Sequence, residues 1–231
     1  MARRVVNRPG PPSLEEYLDG WQRLHGTDPR ASRLVHGWLR GSYVLARPLA
    51  RAGVSPNAVT VLGVLVAGAV LPLALAGGRW PLLAAPVVVV SGVVDNLDGA
   101  VAVLTGRTSR WGALADALAD RVSDAVYVLA LWSLGAPAWL AVVAGALAFL
   151  HEYARARAGG LGLPDAAVIT VAERPTRVVG ATMFLLAAGL YPGSVATWAT
   201  AGAAFGVLVG VVGLLQLLPT LRRRLLDDHV K

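Results

Sequence analysis

A chain of 231 residues that is 55% hydrophobic and only 15% charged is too apolar for an ordinary soluble domain, where charged residues approach a quarter. Its formal charge of +7 suits a nucleic-acid binder in sum only. Long apolar runs leave no polar basic face over most of the chain, so no nucleic-acid partner is expected. With no cysteine, disulfides and thiolate metal sites are excluded. What remains is a polytopic membrane protein that meets anionic headgroups or a phosphorylated substrate.

In chain order, residues 1–30 are polar, with several Pro and Gly. No apolar core follows the first arginines, so this stretch reads as a soluble, partly disordered extension and not as a signal peptide. Residues 31–53 read as an amphipathic helix lying in the membrane interface. There Arg33, Arg40, Arg47 and Arg51 alternate with Leu, Val, Trp and Tyr. Gly41 and Pro48 are expected to interrupt or kink it, and a solvated surface helix is the plainer alternative.

A six-helix domain is expected over 54–219, each span needing ~20 apolar residues. The candidates are 55–77, 80–104, 112–134, 137–157, a short 177–192, and 194–219. Residues 220–231 form a basic tail. With both ends inside, segments 1–54, 105–111, 158–176 and 220–231 face the cytoplasm. Every Lys and Arg except Arg79 then falls in those segments or at the cytoplasmic helix ends, as the positive-inside rule requires. The expected fold class is all-α integral membrane: six transmembrane helices preceded by an interfacial amphipathic helix, in the cell membrane.

Between Arg51 and His151 the only acids are Asp95, Asp98, Asp116, Asp120 and Asp124. Asp95 and Asp98 are i and i+3, Asp116 and Asp120 i and i+4, so each pair shares a helix face. The turn between the second and third spans brings both pairs to one membrane depth. Four converging carboxylates repel, and some take up protons unless cations neutralise them. Hard divalent ions, Mg²⁺ or Mn²⁺, suit an all-carboxylate site, and two of them about 3.5–4 Å apart clamp an in-line displacement at phosphorus. The plainer alternative makes the aspartates ion-pair partners of Arg107, Arg110 and Arg121.

These residues resemble the CDP-alcohol phosphatidyltransferases, whose pattern is D-x-x-D-G-x-x-A-R, eight residues, then G-x-x-x-D-x-x-x-D. Here it reads Asp95-Asn-Leu-Asp98-Gly99-Ala-Val-Ala102-Val103, eight residues, then Gly112-Ala-Leu-Ala-Asp116-Ala-Leu-Ala-Asp120. Every fixed position matches except the family arginine, which is Val103. Upstream, Ser55-Pro56-Asn57-Ala58-Val59-Thr60 looks like the family's P-N-x-x-T entry to its first span. The resemblance covers roughly residues 33–225.

The resemblance implies transfer of a phosphatidyl group from CDP-diacylglycerol to an alcohol, with release of CMP. It implies two ions of Mg²⁺ or Mn²⁺ on Asp95, Asp98, Asp116 and Asp120, with Asp120 also taking the acceptor's proton. It implies CDP-lipid contacts at Asn57, Thr60, Gly99, Ser109 and Gly112. Arg107, i+4 from Val103, replaces the missing arginine if the helix continues, and Thr105-Gly106 stands against that continuation. Membrane lipid and a second copy, as a homodimer, are the other expected partners.

His151-Glu-Tyr-Ala-Arg155-Ala-Arg157-Ala and Glu173-Arg174-Pro-Thr-Arg177 look like the actinobacterial phosphatidylinositol-phosphate synthase branch. That likeness implies that Arg155, Arg157, Arg174 and Arg177 bind the phosphate of inositol phosphate. The alternative makes them topology anchors. In that branch an arginine follows the glutamine of the last helix, whereas here Leu217 follows Gln216. Glycerol 3-phosphate, free inositol and other polyol phosphates stay open as acceptors. His151 and Glu152 read as polar helix-end residues. Two other readings compete. A UbiA-type prenyltransferase needs more spans and two aspartate motifs far apart in sequence. A carboxylate-site cation transporter places its site near the midplane and shows internal repeats.

Overall fold

The computed structural model describes residues 12–163 and 169–227, and among them every regular element is helical. In chain order these are α1 (Leu14–His25), α2 (Arg33–Arg51), α3 (Pro56–Gly68), α4 (Val70–Leu75) and α5 (Pro81–Thr105). They continue with α6 (Arg110–Ser133), α7 (Ala138–Gly160), α8 (Arg174–Leu190) and α9 (Val195–Asp227). The chain forms two compact units. The first takes the described residues up to Gly63 with Val93–Leu118; the second takes Val64–Gly92 with the chain from Ala119 onward.

In the first unit, the stretch expected to be a partly disordered extension contains a well-formed helix. Ser13 and Glu16 make a capping box: the Glu16 N–H donates to Ser13 Oγ at 3.3 Å, and the Ser13 N–H to Glu16 Oε2 at 2.9 Å. Two orphan donors are thereby satisfied. Gly26, at φ 71°, closes the other end in the left-handed conformation that favours glycine. Arg30 ties the following turn back to Glu15 at 2.7 Å and Asp19 at 2.8 Å. Part of the apolar side of α1 is buried: Tyr17 and Leu18, 2% and 0% exposed, pack in one cluster with Leu39, Tyr43 and Ala46 of α2 and Val101 of α5. Residues 1–11 lie outside the described residues.

Helix α2 runs unbroken through Gly41 and Pro48, so the expected interruption does not occur. Leu39, Tyr43 and Ala46, at i, i+4 and i+7, give it one buried stripe.

The expected first span, 55–77, is built as two helices with a turn at Ala69. Pro72 explains the break. It has no N–H to offer the Gly68 carbonyl, and its ring crowds that turn.

The second unit packs α6–α9 with α4 and the start of α5 around Val70, Val88, Ala130, Leu185, Ala188 and Ala199. Small residues let the helices approach closely. A Cβ on Gly202 would come within 2.8 Å of Phe184 Cβ, and one on Gly210 within 2.7 Å of Leu147 Cβ.

Three stretches among the described residues are long and apolar enough to cross a membrane: Pro56–Leu75, Pro81–Thr105 and Pro192–Asp227. Helices α6 and α7 have the length, but Asp, Arg, His and Glu dilute their apolar runs, and α8 has 17 residues.

Candidate active site

Helix α5 carries Asp95 and Asp98 in its second half, and α6 carries Asp116 two turns from its start. A carboxylate oxygen of Asp95 and one of Asp116 lie within 4.8 Å of each other. Asp120 follows Asp116 by one turn on α6. Asp98 is held separately and is buried. Its Oδ2 accepts from Thr60 Oγ1 at 2.5 Å, and its Oδ1 from the Gly99 N–H. This oxygen-only donor set fits Mg²⁺ or Mn²⁺ and offers nothing to a softer ion.

The aspartates open into a cavity of about 1020 Å³ contained in the first unit. Asp95, Asp98 and Asp116 line it together with Asn57, Thr60, Gly99, Arg107, Ser109 and Gly112. All the residues expected to touch the CDP-linked lipid are therefore gathered in one place. Gly99 is exposed there, with no atom within 4 Å of where a Cβ would stand, so a ligand can reach the backbone of α5. Gly112 is crowded: a Cβ would meet Ser109 Oγ at 3.1 Å and Asn57 Oδ1 at 3.7 Å. Its N–H donates to Ser109 Oγ at 2.9 Å, so Ser109 caps α6 beside the cavity.

The condition set for Arg107 is not met. Helix α5 ends at Thr105, where Gly106 turns left-handed at φ 65°. The Arg107 N–H bonds back to the Ala102 carbonyl at 2.9 Å, the 6→1 bond of a Schellman end. Arg107 still lines the same cavity as Val103 from beyond that turn. Val103 itself packs toward α1, and a Cβ on Gly20 would come within 2.8 Å of its Cγ1.

The second unit holds a chain of ion pairs. Arg174 Nη1 lies 2.7 Å from Asp120 Oδ1. Arg121 reaches Asp124 at 3.3 Å and Glu152 at 3.6 Å. Arg177 reaches Asp124 at 3.2 Å and Glu152 at 3.1 Å, and its Nη1 donates to the Ala172 carbonyl. Arg155 pairs with Glu173 at 2.6 Å. Three of the four arginines assigned to an acceptor phosphate thus lie against carboxylates, while Arg157 is exposed. Asp124, grouped by sequence with the other acids, belongs to this network, and Arg121 is the ion-pair partner that the plainer reading expected.

His151 is fully buried, with Nε2 2.8 Å from Thr170 Oγ1. The Thr170 N–H donates to Glu173 Oε1 at 2.9 Å. The pair read as polar helix-end residues is therefore a buried loop anchor (His151) and a double guanidinium acceptor (Glu152). Leu217 is 0% exposed in an apolar cluster with Ala158, Leu163 and Leu221, and Gln216 Oε1 accepts from the Val171 N–H at 2.9 Å.

Residues 53–212 match the family described as CDP-alcohol phosphatidyltransferase. This chain belongs to that family. It is 33% identical over 193 residues to a phosphatidylinositol phosphate synthase of Streptomyces avermitilis, covering 76% of this chain and 75% of the relative. It is similar in structure to the Mycobacterium tuberculosis phosphatidylinositol phosphate synthase PgsA1 with CDP-DAG bound. The TM-score is 0.65 at 27% identity, over 79% of this chain and 94% of that one. The same protein in complex with manganese and citrate matches with a TM-score of 0.63 at 27% identity, over 78% and 88% of the two chains.

As a CDP-alcohol phosphatidyltransferase, the chain is a membrane enzyme of phospholipid biosynthesis. It transfers a phosphatidyl group from CDP-diacylglycerol to an alcohol, releases CMP and depends on a divalent metal. The aspartate pattern and the upstream Asn57–Thr60 segment both fall inside the matched region.

Proposed function

We propose that the acceptor is inositol phosphate and that the product is a phosphatidylinositol phosphate. The observation that carries this reading is the similarity to synthases of that name across three quarters of their length. Three guanidiniums in the second unit support it: Arg174 lies against Asp120, Arg177 against Asp124 and Glu152, and Arg155 against Glu173. A guanidinium fork pairs with a phosphate as it does with a carboxylate. Buried Leu217 supplies no cation, so the phosphate falls to these arginines and Arg157. Their present pairing with carboxylates favours one second reading, an unphosphorylated polyol acceptor.

In this reading Asp95, Asp98, Asp116 and Asp120 hold two divalent cations. When bound, these supply the positive charge that polarises the diphosphate and neutralises the departing CMP. Thr60 and the Gly99 N–H hold Asp98 so that its ligating geometry is set in advance. Asn57, Gly99, Ser109, Gly112 and Arg107 seat the CDP group. Asp120 takes the acceptor hydroxyl's proton. The hydroxyl oxygen bonds to the phosphorus that bears the diacylglycerol, the bond from that phosphorus to the CMP oxygen breaks, and CMP leaves.

The finer architecture belongs to the same proposal. Six spans over 54–219 follow α2 as an interfacial helix, with both termini and the site cytoplasmic, a basic tail over 220–231, and a homodimer as the working form. The exposed Val44 and Leu45 on α2 suit the headgroup boundary.

The test is competition. Purified enzyme receives CDP-diacylglycerol, Mn²⁺ and equal concentrations of inositol phosphate, glycerol 3-phosphate and inositol, and lipid products are identified by mass. The proposal expects phosphatidylinositol phosphate to dominate. Phosphatidylinositol as the main product establishes the second reading instead.

A further inference from the structure

The large cavity of the first unit has two walls of different chemistry. One is polar and carries Asn57, Asp95, Asp98 and Gly99. The other is apolar and aromatic. It comes from α1, through Tyr17, Trp21 and Leu24, and from α2, through Leu34, Val35 and Trp38. Helix α1 lies wholly before residue 53, where the family match begins.

We propose that α1 is a substrate-binding element: Trp21 and Leu24, backed by the buried Tyr17, form the wall on which the pyrimidine of the CDP-linked lipid packs. The proposal rests on the phosphatidyl-transfer reading above. A CDP group has a charged diphosphate and a flat, uncharged base. The carboxylate wall suits the first through cations, and an aromatic wall suits the second, because every base has a π-face.

The acyl chains are the other apolar part of the substrate, and the outer face of α1 argues against them. Glu15, Glu16, Asp19 and Arg23 are exposed there. A helix with that face sits in water, at the nucleotide end of the lipid and not among hydrocarbon. The wall is also preformed. The capping box, the Arg30 pairs and the burial of Leu18 fix α1. Tyr43 Oη donates to the Pro12 carbonyl at 3.1 Å, and the Tyr17 and Tyr43 rings lie 5.7 Å apart. The Gly20–Val103 approach described above lets α1 dock closely on α5, since a side chain at 20 would meet the Val103 methyl.

The experiment measures CMP binding and the KM for CDP-diacylglycerol in Trp21→Ala, Leu24→Ala and Trp21→Phe, in full-length enzyme checked for folding by thermal melting in detergent. CMP carries the base and no acyl chain. The proposal expects Trp21→Ala to weaken both by roughly 5- to 150-fold, the scale of removing one stacking partner. It expects Leu24→Ala to weaken both less, Trp21→Phe to keep most of the affinity, and the acceptor KM to stay put. A rise in the lipid KM with unchanged CMP binding makes α1 an acyl contact and overturns the assignment. Unchanged values in Leu24→Ala and Trp21→Ala remove α1 from the site altogether. Should Trp21→Ala fail to fold, wild-type CMP affinity in Leu24→Ala and Trp21→His, the latter a smaller ring, overturns it equally. A wild-type enzyme that neither binds CMP nor releases it defeats the transferase reading itself, which is a separate result.

Discussion

Arg174 Nη1 and Asp120 Oδ1 lie 2.7 Å apart, and on the other side of the carboxylate Arg121 Nη2 is 3.8 Å from Oδ2. The residue assigned as base is therefore fixed between two guanidiniums. Burial first, and then the charge of Arg177, lowers the Arg174 guanidinium to about 10, so it remains a cation at neutral pH. These contacts place the Asp120 carboxylate, and a proton acceptor needs such placing.

Asp120→Asn keeps the shape of that side chain and removes its charge. Turnover is expected to fall by ~10²–10⁴-fold, the scale of losing a general base, with the melting profile in detergent still cooperative. Near-normal kcat in this variant removes Asp120 from the role.

Arg177→Ala is expected to act on stability. Its partners Asp124 and Glu152 lie within the packed second unit, with Asp124 buried. Removing one member of such a set leaves uncompensated charge at a cost of about 3–5 kcal/mol. Thermal melting checks this: Arg177→Ala should melt well below wild type, and Arg177→Lys between the two.

Thr60→Val deletes the hydroxyl that donates to Asp98 at 2.5 Å and changes little in volume. Loss of a group that orients a metal ligand typically costs 10–100-fold in metal affinity. The Mn²⁺ concentration for half-maximal activity should rise on that scale. An unchanged metal titration separates Thr60 from the metal site.

Arg155→Ala or Arg174→Ala should raise the acceptor KM by roughly 10- to 150-fold, the value of ~1.5–3 kcal/mol for a charged hydrogen bond, and leave the KM for CDP-diacylglycerol alone. If both variants keep the wild-type acceptor KM, the arginines are anchors and the acceptor carries no phosphate that they bind.

Much of the first unit's site was legible because its signals are local. Asp95-x-x-Asp98-Gly99 and Gly112-x-x-x-Asp116 are fixed by helical spacing, and the cavity brings them together with Asn57 and Thr60. The helices expected from apolar runs exist, most with ends shifted by a few residues; the first is split at Ala69, and the last runs on to Asp227. Helix α1 was missed although Ser13-Leu-Glu-Glu16 is a capping-box signature. Its polar composition hid a narrow apolar stripe, of which Tyr17 and Leu18 form the buried part. The ion-pair chain was illegible for another reason. Whether Arg177 meets Asp124, Glu152 or a ligand depends on how α6, α7 and α8 rotate against one another, and single-sequence spacing says nothing of that. Leu217 shows the converse: an apolar residue in place of an expected cation becomes clear only once its neighbours Ala158 and Leu221 are seen.

The most direct test is the stoichiometry of CMP release. Purified protein is incubated with CDP-diacylglycerol and inositol phosphate, with Mn²⁺ or with excess EDTA, in wild type and Asp116→Asn. The expected result is one CMP per phosphatidylinositol phosphate formed by the wild type with metal, with both lost in EDTA and in Asp116→Asn. Lipid product that forms without CMP, or at the same rate in EDTA, contradicts the assignment of the aspartate pattern to metal-dependent phosphatidyl transfer.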